Sequence, residues 1–415
     1  MKFTQVDHAK NGTLTSEMEH VVKTEGLDDD TVLSNVANGS LVIMTRKGFR
    51  PVAIGKGVST KINVNLGTSS ASINPIAEME KVRIAEKYGG DTITDLSMGG
   101  DISEIRKMVF ENTTLPITTV PIYQSIVEHG MKDVSEDDIL SNLKQHVNEG
   151  VSSVVLHCVE RNMLEKLRGT GRVMGMVSKG GSFTSVYMLS NGRENPFIEN
   201  FDDVLGILRK NDVVLSFGNT MRSGCIHDLR DSAQEMELNT NARLAMEANA
   251  QGVQAIIEGM GGHVQANNIA ESVRFYKSKS DFPLFVAGPL PTDIALGYDH
   301  IAGAVGASMA IGAGADYMCY ITPSEHLALP SPDQVREGLI AFKIAAHIGD
   351  SIKYGVSDRD LMLAKRRAKF DWDGQVELAI DPDKPKNMCP MEGPCSMCGE
   401  YCAIKIMADY LSNGG

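Results

Sequence analysis

Several features are missing from this 415-residue chain, and each absence narrows what it can be. No apolar run approaches the roughly 20 residues that a helix needs to cross a bilayer. The most apolar stretch, 301–320, is broken by Gly303, Gly306, Gly312 and Gly314 and carries Asp316. It reads as core helix and strand, and no membrane partner is expected. The opening residues, MKFTQVDHAKNG, lack a basic stretch followed by an apolar core. They predict no secretory signal and a cytoplasmic location. A basic excess is also missing: 40 Lys and Arg stand against 53 Asp and Glu, a formal charge of −13. Nucleic acid requires a basic face and is not an expected partner. A phosphorylated metabolite stays compatible, because one pocket can be locally positive in an acidic protein. No GxGxxG follows the first strand-like run, which argues against a dinucleotide-binding open sheet.

Cysteine is sparse until the end of the chain. Cys158, Cys225 and Cys319 are scattered, whereas Cys389, Cys395, Cys398 and Cys402 crowd the C-terminus. In a reducing compartment such a cluster reads as metal ligands rather than disulfides. CSMCGEYC spaces Cys395, Cys398 and Cys402 as Cys-x2-Cys-x3-Cys. Three thiolates on a four-iron cubane leave one iron open for a substrate. A structural zinc knuckle with Cys389 as fourth ligand is an equal reading of the segment alone.

From residue 61 onward, short β-rich runs alternate with helical stretches. The nine runs are 61–67, 91–97, 117–123, 151–158, 173–181, 213–219, 253–262, 284–290 and 316–323. The alternation predicts a parallel sheet, and eight units close a (β/α)8 TIM barrel. One run is surplus, and the last is a candidate accessory strand. Polar residues and glycines gather where the runs end, which in a barrel is the catalytic face. Residues 1–60 predict a small α/β region with a helix near 15–24 and a β-rich stretch at 40–57. The expected divisions are 1–60, a barrel over 61–330, and a helical cluster-binding domain over 331–415.

Two histidines follow late runs, His263 in EGMGGHVQ and His326 in TPSEHLALP. As neighbours they would share a divalent metal such as zinc or iron; His300 is a rival ligand. Glu258 is a candidate acid/base group. SKGGS at 178–182 is a glycine-rich turn whose amides, with Lys179, suit an oxyanion or phosphate. SFGNTMRSG at 216–224 has the same form, with Arg222 as a phosphate partner.

These motifs in this order resemble the phosphomethylpyrimidine synthase family, a radical S-adenosylmethionine group of the thiamin pathway. The resemblance rests on NVNLGTSS, DLSMGGD, TVPIYQ, SKGGS, IIEGMGGH, GPLPTDIALGYDH, YITPSEHLALP, FKIAAHIGD and the terminal CSMC. It implies a (β/α)8 barrel with a C-terminal 4Fe-4S cluster, S-adenosylmethionine as cosubstrate and 5-aminoimidazole ribotide as substrate. It also implies a reductant such as flavodoxin or ferredoxin, and a homodimer that places one subunit's cluster over the other's barrel. The substrate contacts it implies are Asn65, Thr94, Tyr123, His157, Ser178, Lys179, Gly180, Asn219, Thr220, Met221, Arg222, Glu258 and Phe285. Of these, Glu258, Asn219 and Tyr123 would act in catalysis. The implied metal ligands are His263 and His326, and the implied cluster ligands are Cys395, Cys398 and Cys402.

The departures from the family pattern are concentrated. The family has GDGLRPG where this chain has GNTMRSG, so Asn219 replaces an aspartate. Thr94 stands for a methionine and Phe285 for a tyrosine. EGMGGH is one residue longer than the family's EGPGH, and the cysteine spacing is one residue shorter. The phosphate frame is kept while residues around the reacting ring change. This pattern resembles the 5-hydroxybenzimidazole synthase branch, which serves anaerobic cobalamin biosynthesis from the same ribotide. The thiamin pyrimidine is the alternative product. A zinc-binding barrel hydrolase is the alternative of another class.

The triad makes a direct test. Replacing Cys395, Cys398 or Cys402 with Ala should abolish 5′-deoxyadenosine formation, while Cys389→Ala should keep most of it. Reconstituted iron content and nucleoside yield, measured together, check this; wild-type values in any triad variant would contradict it.

Overall fold

The computed structural model describes residues 3–390 and 392–412. Ten strands are present among them: β1 (Leu41–Met44), β2 (Val52–Gly55), β3 (Lys61–Leu66), β4 (Thr92–Asp95), β5 (Ile117–Thr119), β6 (Ser153–Leu156), β7 (Val214–Phe217), β8 (Ala255–Glu258), β9 (Leu284–Ala287) and β10 (Tyr317–Cys319). β3 to β10 are parallel and close a barrel in sequence order, with β10 pairing both β9 and β3. The strands are short and nearly all buried, as expected where helices cover a parallel sheet. Local chemistry starts the helices between them. Asn74, Asp101, Ser135 and Asp231 each accept a first-turn amide at a helix N-cap, and Gly150 and Gly192 end helices in the left-handed conformation.

Eight of the nine strand-like runs form the barrel, and two expectations need correction. Run 173–181 is not a strand. The amides of Val173 and Met174, which a strand would give to a neighbour, go to the carboxylate of Asp228 at 2.7 and 3.1 Å. Ser178 then caps the helix Lys179–Asn191. The final run is no accessory, because β10 is the strand that closes the barrel.

β1 and β2 form an antiparallel ribbon at the N-terminal ends of the barrel strands. Val42, Met44 and Ile54 pack with Val214, Ile256 and Tyr317. Gln254 fastens the ribbon: its side chain accepts from the Ile43 amide at 2.7 Å and donates to the Ile43 carbonyl at 3.1 Å. The stretch 301–320 becomes the helix Asp299–Ala313 followed by β10, although Ile301 and Val305 remain exposed.

The chain divides into two compact units, Met1–Lys353 and Tyr354–Gly415. The second comprises the helices Asp358–Ala368, Trp372–Leu378 and Asp383–Lys386, the short 3-10 turn Gly399–Tyr401 and the helix Ala403–Ser412. Polar contacts tie it together: the Trp372 indole donates to the Gly393 carbonyl at 2.9 Å, and Arg366 pairs with Asp371 at 2.7 Å. Among its described residues only Gly374 and Cys402 are buried. A unit of this size without an apolar core needs another source of stability, such as a metal centre.

Gln254→Leu should strand both Ile43 backbone groups. At about 1–3 kcal/mol for each buried unpaired group, a thermal midpoint clearly below wild type is expected by calorimetry. An unchanged midpoint would show that the ribbon is held by packing alone.

Candidate active site

A cavity of about 450 Å³ opens where the barrel strands end. β3 supplies Asn65, β4 Thr94, β8 Glu258 and β9 Phe285. The following loops and helix starts add Tyr123, His157, Ser178, Lys179, Arg222, His263 and His326. The structure therefore gathers eleven of the sequence-predicted site residues around one space. Gly180, Asn219, Thr220 and Met221 do not line it and stand immediately behind its wall.

One wall suits an anion. At the start of a thirteen-residue helix, Ser178 Oγ accepts the Gly181 amide at 3.1 Å and the Gly180 amide donates to Tyr123. Glycine is required here by close approach. A Cβ on Gly180 would lie 2.3 Å from the His157 ring, and one on Gly181 would lie 2.3 Å from Thr220. The Arg222 guanidinium is fixed by the carbonyls of Asn219 (2.8 Å) and Val177 (3.2 Å). Lys179 lies over the Tyr123 ring, and burial lowers its pKa.

Buried groups behind and beneath this wall are pushed toward neutrality. Burial, then the nearby Arg222 charge, brings His157 down to about 3. Its Nδ1 is buried against Gly180 without a hydrogen-bond partner. Burial raises Tyr123 to about 12. Glu258 accepts from Ser216 Oγ at 3.0 Å and the Asn219 amide at 3.3 Å. Burial nonetheless raises it to about 7, because desolvation outweighs those hydrogen bonds. The next two amides, of Thr220 and Met221, donate to Glu237 at 2.7 and 2.9 Å. Asn219 Oδ1 is buried and unpartnered. Thr94 donates to Asn63 Oδ1 at 2.9 Å, and Phe285 stacks on Tyr317 with ring centroids 4.0 Å apart.

His263 and His326 meet with ring centroids 5.1 Å apart. Each Nδ1 faces a carboxylate, Asp293 at 2.5 Å and Asp299 at 3.1 Å. Such tethers set the tautomer and leave Nε2 for a metal, so the pair fits a single divalent ion. His300, the rival, pairs with Glu337 at 3.2 Å and is absent from the cavity wall. The C-terminal cysteines lie on tight turns: the Gly399 amide donates to the Cys395 carbonyl, and the Tyr401 amide to that of Cys398. Three thiols on so short a turn suit a cluster with one open iron. Their sulfurs are not gathered as one ion would require. Among the described residues, the group of three or more such ligand atoms all within 4.8 Å of one another is Cys225, His227 and Asp293.

Sequence reasoning missed Glu237, Asp293, Asp299 and Glu325. Glu325 lines the cavity, with burial raising its pKa. Both aspartates lie within the GPLPTDIALGYDH motif, and Glu325 directly precedes His326, so adjacency was an available signal. Glu237 had none; it sits within a helix between Met236 and Leu238, outside every motif the sequence offers.

A profile of the Radical SAM ThiC family matches residues 4–409. The chain belongs to this family. A phosphomethylpyrimidine synthase of Dehalococcoides mccartyi is 44% identical over 425 residues, covering 99% of this chain and 98% of that protein. One from Thermoanaerobacter sp. is 43% identical over 427 residues, with the same coverage. Phosphomethylpyrimidine synthase 1 of Methanosarcina mazei is 44% identical over 420 residues, covering 98% of each. Membership implies S-adenosylmethionine and an iron–sulfur cluster, and the hydrolase alternative does not fit it. Among the described residues, no helix is long and apolar enough to cross a membrane.

Glu258 gives a pH test. Its pKa of about 7 lies above the ordinary value of 4.5. The folded state therefore holds a proton that the unfolded chain has lost between those values, and stability from this group falls as pH rises through that window. Glu258→Gln should shrink the drop in thermal midpoint between pH 5 and 8. Equal drops in wild type and variant would place the pKa of Glu258 at its ordinary value.

Proposed function

We propose that this chain cleaves S-adenosylmethionine reductively and rearranges 5-aminoimidazole ribotide in the barrel cavity. The observation that carries the reading is the cavity's division. An anion-binding wall of Arg222, Lys179 and the Ser178-capped helix adjoins the neutral groups His157, Tyr123 and Glu258. A phosphate suits the first part and an aminoimidazole the second.

Cys395, Cys398 and Cys402 would hold the 4Fe-4S cluster, and His263 and His326 would hold zinc or iron through Nε2. When bound, the cluster supplies the electron that breaks the carbon–sulfur bond of S-adenosylmethionine. The chain's own groups position and protonate. Arg222 and the helix start fix the phosphate; Tyr123 and His157 orient the ring as neutral hydrogen-bonding partners. Glu258 both takes and returns a proton near neutral pH. A flavodoxin or ferredoxin is the proposed reductant, in the cytoplasm. A homodimer is the proposed assembly, supported by the exposed stripe Ile344, Ile348 and Ile352 on the helix Pro332–Tyr354.

The names of the relatives support the phosphomethylpyrimidine of the thiamin pathway as product. A specific observation favours a second product, 5-hydroxybenzimidazole. Thr94 and Phe285 line the cavity and Asn219 backs it, and these positions carry the changes around the ring. A radical's exits are decided by small differences, since about 1.4 kcal/mol is tenfold in ratio and one exchanged hydrogen bond supplies about that much.

Anaerobic incubation with ribotide, S-adenosylmethionine and a strong reductant, followed by product mass analysis, separates the readings. If benzimidazole forms, Asn219→Asp with Phe285→Tyr should lower its yield about tenfold while 5′-deoxyadenosine persists. Pyrimidine phosphate from wild type would remove the second reading, and no 5′-deoxyadenosine would remove both.

A further inference from the structure

Outside the proposed catalytic residues, one cluster has the chemistry of a metal site. Cys225 and His227 lie on the loop after β7, and Asp293 lies on the loop after β9. Their ligand atoms all stand within 4.8 Å of one another. We propose that Cys225, His227 and Asp293 bind a divalent ion of the zinc class, distinct from any ion on the His263/His326 pair.

The donor set comes first. One sulfur, one nitrogen and one oxygen suit zinc or cobalt(II) and do not suit magnesium or calcium, which take oxygen ligands. The spacing comes second. With bonds of about 2.0–2.3 Å, the ligands of a tetrahedral ion stand about 3.3–3.8 Å apart. The three atoms thus need at most about 1.5 Å of adjustment, and His227 and Asp293 are exposed enough to make it. Three protein ligands leave a fourth position for water.

The two loops are already held in place. The Asp228 amide donates to the Cys225 carbonyl at 3.0 Å. The Asp228 carboxylate in turn takes the amides of Val173 and Met174. The Ile226 amide, between the two loop ligands, donates to Asp293 Oδ2 at 3.0 Å. The other oxygen of Asp293 faces His263 Nδ1. An ion here clamps the loop after β7 to the loop after β9. It also fixes the carboxylate that orients His263. The proposal stands on these three residues and does not depend on which product the barrel makes.

The test uses the full chain with Cys389, Cys395, Cys398 and Cys402 replaced by Ser, so that the terminal thiols contribute nothing. Cobalt(II) is titrated, and thiolate-to-cobalt charge-transfer absorption is read in the near ultraviolet. One equivalent with that band is expected. Adding Cys225→Ser should remove the band, and adding His227→Ala should weaken binding at least about tenfold. Adding His326→Ala, which leaves Asp293 untouched, should keep the band. No thiolate band in the parent protein, a band that survives Cys225→Ser, or loss of the band in His326→Ala would each overturn the proposal.

Discussion

Three consecutive backbone amides govern this site. Those of Asn219, Thr220 and Met221 all donate to buried carboxylates, the first to Glu258 and the next two to Glu237. A buried amide without an acceptor is costly, so the loop after β7 has one low-energy path. That path puts Arg222 on the cavity wall and packs Thr220 against Gly181. The cavity wall that carries Arg222 and the carboxylate of Glu258 are thereby parts of a single arrangement. Desolvation of the same two carboxylates raises both to about 7. They hold the loop while sitting close to the point at which a proton comes and goes.

Much of this was legible in the sequence, and what was not has physical reasons. Seven runs announced their strands by β-rich composition ending in polar or glycine residues, and the final run was a strand in the wrong role. The run 173–181 has the same composition, yet its amide donors are taken by Asp228, more than fifty residues away, which no local pattern reveals. The helix start at Ser178 was legible because serine, lysine and glycine in that order carry their local chemistry in their spacing. Thr220 and Met221 were read as contacts but are fully buried behind the wall. Their amides matter more than their side chains, and amides leave no mark in a sequence. Cys225, His227 and Asp293 escaped notice for a related reason: two loops nearly 70 residues apart bring them together.

The second unit follows a different rule from the first. The barrel buries a continuous apolar core, whereas Tyr354–Gly415 buries two described residues, one of them a cysteine of the triad. Its order rests on capped helices and a few polar ties. Apolar side chains of the helix Ala403–Ser412, such as Ile406, Met407 and Leu411, remain exposed. Stability in such a segment is tied to what it binds.

The ribbon of β1 and β2 gives the barrel a stopper. Gln254 and the packing around Tyr317 seal the N-terminal end, and the cavity opens at the other. The barrel is therefore a vessel with one mouth. Whatever enters must leave by the way it came, so a second substrate cannot displace a product from behind. Turnover becomes a queue, in which departure of the last product sets the earliest moment of the next arrival.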